Sequence, residues 1–211
     1  MSPGHPMQIL LPDRFEGATT AYGYVGTVFE QVAAGGGATA AHYGTFGFSI
    51  IRPSDTTESR RGIRDRYDEA AALALGAFSR LGVRAEVGEV RNEFCPGDHS
   101  IRVGRWESGM KVVGIAQRIT RRATSVGGIV LVEGEEELAR VLGVVYAAMS
   151  LPFRRESVGS LRRAGLDAGV EEVVEAVAEE AALRYGADRV RLDARTLGLA
   201  RDSGGAHLIG A

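Results

Sequence analysis

The feature that most constrains the fold is a block of consecutive β-like runs with helical stripes on both sides. Between residues 83 and 133, four runs are separated by Gly, Pro and Asp: VRAEVGEV, HSIRVGR, KVVGIAQRIT and GGIVLVE. Apolar residues recur at helical spacing over 63–81, and again over 138–149 and 170–181. Because the strands are not alternated with helices, this order predicts an α+β fold with a mostly antiparallel or mixed β-sheet flanked by helices.

Shorter signals mark the elements around this block. MQILL and DRVRLDA are candidate strands, and the stretch after the three consecutive glycines runs into a strand that ends near Pro53. Gly82 is expected to end the first helix, because glycine readily adopts the left-handed conformation found there. A short helical turn is expected at Ser157.

The chain length suits a single domain. With 211 residues it can bury one proper core. We expect its main part to cover residues 35–193, with 1–34 as a shortened or divergent N-terminal part of the same domain and 194–211 as a tail.

Charge and cysteine content exclude several classes of function. The formal net charge is −2, so no global basic field is present to hold nucleic acid. The single cysteine cannot form an internal disulfide, which fits a reducing compartment. The first residues resemble neither a signal peptide nor a membrane span. We therefore expect a cytoplasmic protein that binds no nucleic acid and no membrane.

The cation content singles out Lys111. The chain has 24 arginines and this one lysine. An edge-strand lysine that prevents aggregation is the ordinary interpretation. Where a generic cation is sufficient, however, this sequence has arginine. An ammonium is a compact point charge on a slim stem, which suits contact with one oxygen atom in a narrow site.

Cys95 is the only thiol, and it precedes the turn sequence Pro96-Gly97-Asp98. Most lone cysteines are small buried apolar residues. A thiol beside a turn can instead be a nucleophile, because its thiolate is reactive. His99 and Asp98 lie close enough in sequence to polarise it.

Three consecutive glycines, Gly35, Gly36 and Gly37, followed by Ala38, allow two interpretations. They form a flexible turn, or their main-chain N–H groups form a cradle for an acyl or anionic group. The pattern is not a dinucleotide-binding motif, because poor helix sequence follows it. His42 comes next and is either a substrate contact or a hydrogen-bonded core histidine. No His, Cys or Asp cluster has metal-ligand spacing, so we expect no metal.

Together these segments resemble the family of lipoate-protein ligases and octanoyltransferases, which also includes biotin-protein ligases. KVVGIAQR resembles the family's strand that begins with a lysine, and GGIVLV resembles the apolar strand that follows it in a hairpin. GGGATAAHYGTFGFSI resembles the family's glycine-rich stretch that lines the acyl pocket. LPFRRESVGSL resembles its connecting segment, in which a proline is followed by the pattern Ser-Val-x-Ser-Leu. The resemblance covers about residues 35–163. It implies a biotin/lipoate ligase-like fold for the catalytic domain.

The Cys-Pro-Gly run upstream of Lys111 resembles the cysteine-using amidotransferase branch of that family. The resemblance implies that Cys95 forms a thioester with an octanoyl or lipoyl group and that Lys111 holds the acyl carbonyl oxygen. It further implies an acyl site formed by Gly35, Gly36, Gly37, Ala38 and His42, and by three residues of the strand that Lys111 opens: Gly114, Ala116 and Gln117. The implied partners are a lipoyl-carrier domain or a glycine-cleavage H-type protein, with an acyl carrier protein as a further donor. No cofactor is required.

Two alternatives stay open within this family. An ATP-dependent lipoate-protein ligase would use Lys111 without needing Cys95, although the arginine pair that often precedes the glycines in such ligases is replaced by Ala33-Ala34. A catalytically silent member would bind an acyl group or a lipoyl domain without turnover.

Overall fold

The structure, a computed structural model, describes residues 8–11, 42–54, 62–121 and 123–191, together with residues 194, 195 and 198. Five strands form an antiparallel sheet, and a separate parallel pair joins the first and last strands. Among the described residues, three α-helices and one short 3-10 helix accompany them. The strands are β1 Gln8–Leu11, β2 Thr45–Pro53, β3 Glu86–Val87, β4 Ile101–Val103, β5 Met110–Ile119, β6 Ala123–Leu131 and β7 Asp188–Arg191. The helices are α1 Ile63–Arg80, α2 Glu135–Ala148 and α3 Val170–Tyr185, with the 3-10 turn at Arg155–Ser157.

The five-stranded sheet has the order β2-β6-β5-β4-β3. The predicted antiparallel sheet and the three predicted helices are confirmed. The run VRAEVGEV was expected to be largely strand, but β3 contains only Glu86 and Val87. Gly88 follows at φ +149°, a conformation that an L residue rarely adopts, and the chain leaves the sheet there.

Alternating side chains place the two faces of β6 in two different cores. Val126 and Val130 are buried in a core formed with α1 and α3, whereas Ile129 and Leu131 pack in a second cluster with α2. This period-2 pattern is what the strand geometry requires. The second cluster also includes Phe94 and Tyr146, and Cys95 packs against it. The segment that carries Cys95 is thereby packed against α2.

Gly82 ends α1 as the sequence predicts. Its φ is +79°, and its N–H donates to the carbonyl oxygen of Ser79 at 3.1 Å. Val83 then donates to the carbonyl oxygen of Phe78 at 2.9 Å. These bonds satisfy carbonyl groups at the helix end that would otherwise lack partners.

Candidate active site

A cleft of about 1250 Å³ is lined by β2, β6 and β5 of the sheet, by α1 and by the segment 94–100. Five of the residues predicted from the sequence line this cleft: Cys95, Lys111, Gly114, Ala116 and Gln117. The structure therefore brings the predicted nucleophile and the only lysine to one site.

A β-bulge at the start of β5 directs the Lys111 side chain. Arg102 pairs with Lys111, but the preceding residue Ile101 pairs with Val113, so one residue of β5 is extra. Such a bulge changes which face a side chain points to. Lys111 accordingly lies on the same face as Gly114, where a Cβ would stand 3.3 Å from the Lys111 Cε atom. Glycine at 114 leaves the space that the lysine stem uses.

The ammonium of Lys111 is buried and fully hydrogen-bonded. Its side chain is 1% exposed. Nζ donates to Glu93 Oε1 at 3.1 Å, to the Phe94 carbonyl oxygen at 3.0 Å and to the Cys95 carbonyl oxygen at 2.7 Å. An ammonium has three N–H donors, so all of them have partners here. Nζ also lies 4.7 Å from the centroid of the Phe94 ring.

Glu93 supplies the negative charge that this buried ammonium requires. Its side chain is 0% exposed. Glu93 Oε1 also accepts a hydrogen bond from Ser100 Oγ at 2.5 Å, and Oε2 accepts one from the Val90 N–H at 2.8 Å. A buried ion pair is tolerated when further hydrogen bonds complete it, and these two do so. The sequence analysis missed Glu93, although it lies only two residues before the cysteine.

Cys95 has a strained backbone that is held from both sides. Its φ is +41°, in the left-handed region that non-glycine residues seldom occupy, and Asn92 nearby has φ +53°. The Cys95 N–H donates to the hydroxyl oxygen of Tyr146 at 2.5 Å, while its carbonyl oxygen accepts from Lys111. Such conformations persist only where the surroundings impose them, and they concentrate at functional sites. Tyr146 was not predicted from the sequence.

Small residues on three neighbouring strands form one wall of the cleft. Gly47 of β2 and Gly114 of β5 both pair with Ile129 of β6, and Ser49 and Ala116 pair with Gly127 in the next row. All of these residues lie on the same face of the sheet and line the cleft. Apart from Ile129, they have little or no side chain and leave an open strip for an extended apolar group.

Two other predicted residues make structural contacts. Gln117 accepts from Arg66 Nε at 2.9 Å and donates to the Ile63 carbonyl oxygen at 3.0 Å, which joins β5 to the start of α1. His42 does not line the cleft. Its Nδ1 accepts from the Gly44 N–H at 2.7 Å and its Nε2 donates to the Gly134 carbonyl oxygen at 2.9 Å. The substrate contact predicted for His42 stays a prediction.

The predicted glycine cradle, Gly35, Gly36, Gly37 and Ala38, lies outside the described residues. Its role stays a prediction as well.

The surroundings of Glu89 perturb its pKa. Burial, and then the charges of Glu93 and Asp98, raise the pKa of Glu89 above its usual range. Within the part of the chain that the structure describes, no group of three or more His, Cys, Asp or Glu side chains could hold a metal ion. In the same part of the chain, no helix combines the length and apolar character needed to cross a membrane.

Residues 26–182 match the family model of the lipoyl protein ligase A/B catalytic domain. Over 100 residues, 47% of this chain, the sequence is 31% identical to the octanoyl-[GcvH]:protein N-octanoyltransferase of Geobacillus kaustophilus. That match spans 33% of the transferase's length.

Two solved structures share the fold. One is a bi-partite lipoate protein ligase of Thermoplasma acidophilum, studied with its E2 lipoyl domain, with TM-score 0.55 and 19% identity over 80% of this chain and 62% of that chain. The other is a lipoate-protein ligase A bound with ATP, with TM-score 0.57 and 22% identity over 80% of this chain and 64% of that chain. The predicted lipoate ligase-like fold is thus confirmed.

Proposed function

The chain belongs to the lipoyl protein ligase A/B catalytic domain family, and from that premise we propose that it transfers an octanoyl or lipoyl group to a lysine of a lipoyl-carrier protein through a thioester on Cys95. The observation that carries this proposal is the conformation of Cys95. A non-glycine residue at φ +41° is fixed between Tyr146 and Lys111 in the wall of the cleft. A cysteine with only a packing role would not require this conformation.

In the first half of the reaction, the Cys95 thiolate attacks the carbonyl carbon of the donor's acyl group. A carbon–sulfur bond forms, and the bond from the carbonyl carbon to the donor's sulfur or nitrogen breaks. The donor leaves with the proton that its sulfur or nitrogen needs. The product is an acyl group held as a thioester on Cys95.

In the second half, the side-chain amine of an acceptor lysine attacks the same carbonyl carbon. A carbon–nitrogen bond forms, the carbon–sulfur bond breaks, and the nitrogen loses a proton. Cys95 leaves as a thiolate and is ready for another cycle. No nucleotide is consumed in either half. A thioester donor already carries an activated acyl group, and with an acylated lysine as donor one amide is exchanged for another.

Lys111 has two tasks in this proposal. In the resting protein it fixes the carbonyl oxygen of Cys95. When the acyl group arrives, the ammonium exchanges that bond for one to the acyl carbonyl oxygen, where negative charge develops. Glu93 remains its counter-charge throughout. The N–H groups around Gly35–Ala38 or Gly114 supply further donors to this oxygen.

The acyl chain lies along the small-residue strip formed by β2, β6 and β5. Gly47, Gly114 and Ala116 line the cleft that contains Cys95. The relatives support this choice of substrate, because one transfers octanoyl groups from GcvH and another is a ligase with an E2 lipoyl domain. A carrier protein with an acylated or free lysine is therefore the proposed partner.

The test is intact-mass spectrometry of the purified chain incubated with octanoyl-GcvH, without ATP. An adduct of one octanoyl group is expected on the wild type, and none on Cys95→Ser. The matched control is Ser79→Ala, an exposed change on α1 that should retain the adduct. Carrier octanoylation that persists in Cys95→Ser would contradict the thioester route. Carrier loading that occurs only with free lipoate and ATP would replace the proposal with an ATP-dependent ligase.

A further inference from the structure

His99 and Asp68 form a hydrogen-bonded pair in the same cleft. His99 Nε2 lies 3.2 Å from Asp68 Oδ1, and both residues line the cleft with Cys95. The His99 ring stacks on Tyr67, with centroids 4.6 Å apart and an interplanar angle of 20°. α1 therefore fixes the orientation of an imidazole that the segment 94–100 carries. The sequence suggested that His99 and Asp98 could polarise Cys95; in the structure the carboxylate bonded to His99 is that of Asp68.

The two ring nitrogens have different surroundings. Nε2 faces a carboxylate, which favours the tautomer in which Nε2 carries the hydrogen. Nδ1 is then left with its lone pair, and it makes no hydrogen bond to any residue that the structure describes. A histidine oriented by a carboxylate on one nitrogen, with the other nitrogen free, is the arrangement of a general base.

The turn that follows Cys95 brings His99 towards it. His99 is four positions after Cys95, so their Cα atoms are at most about 14 Å apart. The Ser100 N–H donates to the Gly97 carbonyl oxygen at 2.8 Å, which folds the segment back and shortens this span. An acyl thioester on Cys95 projects into the cleft that His99 also lines.

We propose that His99, oriented by Asp68, is the general base that accepts the proton of the acceptor lysine when the acyl group leaves Cys95. This inference rests on the proposed function. The lysine nitrogen bonds to the acyl carbon and gives one proton to Nδ1, while the carbon–sulfur bond breaks and Cys95 leaves as a thiolate. The imidazolium is stabilised by Asp68 and later returns its proton to solvent. In the reverse sense, the imidazolium protonates a departing lysine amine when the donor is an acylated lysine.

Several charged or titratable groups share the cleft with His99. They are Arg64, Tyr67 and Asp68 from α1, Cys95 and Asp98 from the same segment, and Lys111 and Arg118 from β5. Asp68 is the one that hydrogen-bonds to the imidazole, and Tyr67 stacks on it. Its side chain is 59% exposed at the edge of the cleft, so its substitution should leave the fold intact.

The experiment separates the two half-reactions. Cys95 is first loaded from octanoyl-pantetheine, whose thiolate leaves without needing a proton. The loaded protein is then mixed with apo-GcvH, and the transfer rate is measured from pH 5.5 to 9.5. The variants are His99→Gln and Asp68→Asn, with Glu137→Gln on the exposed face of α2 as the surface-charge control.

His99→Gln is expected to load within about threefold of wild type but to transfer about 100-fold more slowly, the loss typical of a missing general base. Because the attacking lysine nitrogen must be unprotonated, the transfer rate should rise with pH in both proteins, and the ratio of the two rates at each pH measures what the base contributes. Asp68→Asn should show a smaller loss of transfer, about tenfold. The control should match wild type in both steps.

Distinct outcomes overturn the two proposals. Wild type that never acquires an octanoyl adduct would remove the proposed function, and this inference with it. If wild type loads and transfers, and His99→Gln has the same transfer rate and pH profile as wild type, the inference about His99 is overturned and the proposed function is kept. If His99→Gln does not fold, Asp68→Asn decides: an unchanged transfer rate in that variant would overturn the inference.

Discussion

The ammonium of Lys111 donates a 2.7 Å hydrogen bond to the carbonyl oxygen of Cys95, sixteen residues away in the sequence. The only lysine of the chain thereby holds the only cysteine. A guanidinium could not replace it here. Three acceptors converge on one nitrogen, and the stem occupies the space that glycine at 114 leaves, whereas a guanidinium presents its donors in a broad planar fork.

Lys111→Met should therefore destabilise the protein strongly. The substitution removes the ammonium and leaves the Glu93 carboxylate buried without a counter-charge, which typically costs about 3–5 kcal/mol. Urea unfolding at pH 7 measures this loss as a lower transition midpoint. The exposed substitution Arg140→Met, which breaks the pair between Arg140 and Glu137, should leave the midpoint unchanged. An unchanged midpoint for Lys111→Met would show that the buried pair does not hold the Cys95 segment.

The glycines of the cleft wall should differ sharply in their tolerance of a methyl group. A Cβ at Gly127 would stand 2.0 Å from the Phe48 carbonyl oxygen, a backbone atom that cannot yield, whereas a Cβ at Gly47 would meet only the Gly128 carbonyl oxygen at 3.8 Å. We expect Gly127→Ala to lower the thermal midpoint by many degrees or to prevent folding. Gly47→Ala should change stability by less than about 1 kcal/mol. Similar melting temperatures for the two variants would contradict the close strand approach at Gly127.

Tyr185 should make stability fall at alkaline pH. Burial, and then the charge of Glu69, raise the pKa of Tyr185 to about 12. The folded state thus holds this proton more tightly than the unfolded chain. The resulting stability is fully present below about pH 10 and is lost as the pH rises from 10 through 12. Unfolding measured across this range should show the fall in wild type and much less of it in Tyr185→Phe.

At neutral pH the same Tyr185→Phe variant should be as stable as wild type or slightly more stable. The Tyr185 hydroxyl is buried and makes no hydrogen bond of good geometry among the described residues, although the Glu69 carboxylate lies near it, and Glu69 keeps its pair with Arg52 when the hydroxyl is removed. Tyr43→Phe is the matched control, because it removes an exposed tyrosine. An alkaline fall that is equally large in wild type and Tyr185→Phe would contradict the assignment.

The sheet and helices could be predicted because their signals are local. β6 shows alternating burial over eight consecutive residues, and Gly82 marks the end of α1 directly. The importance of Lys111 could be inferred from its rarity, and the structure explains that rarity by a site with three acceptors around one nitrogen.

The rest of the site depends on contacts between distant residues. Tyr146 meets the Cys95 N–H across 51 residues, and His42 meets Gly134 across 92. The left-handed conformation of Cys95 is held by Tyr146 and Lys111, which lie outside its own segment, and no local sequence signal encodes it. For the same reason the sequence could not indicate that Asp68 of α1 pairs with His99.

Tyr146→Phe should reduce the reactivity of Cys95 without unfolding the protein. The phenylalanine ring keeps the packing of α2, but the Cys95 N–H loses its 2.5 Å acceptor, and the left-handed conformation loses one of its two restraints. A lost buried hydrogen bond costs about 1–3 kcal/mol, so we expect a folded variant with a lower melting temperature. Octanoyl loading of Cys95, followed by intact mass, should slow by about tenfold. Val144→Ala, on the exposed face of the same helix, should load at the wild-type rate. Wild-type loading by Tyr146→Phe would mean that Lys111 alone suffices to hold Cys95 in its reactive conformation.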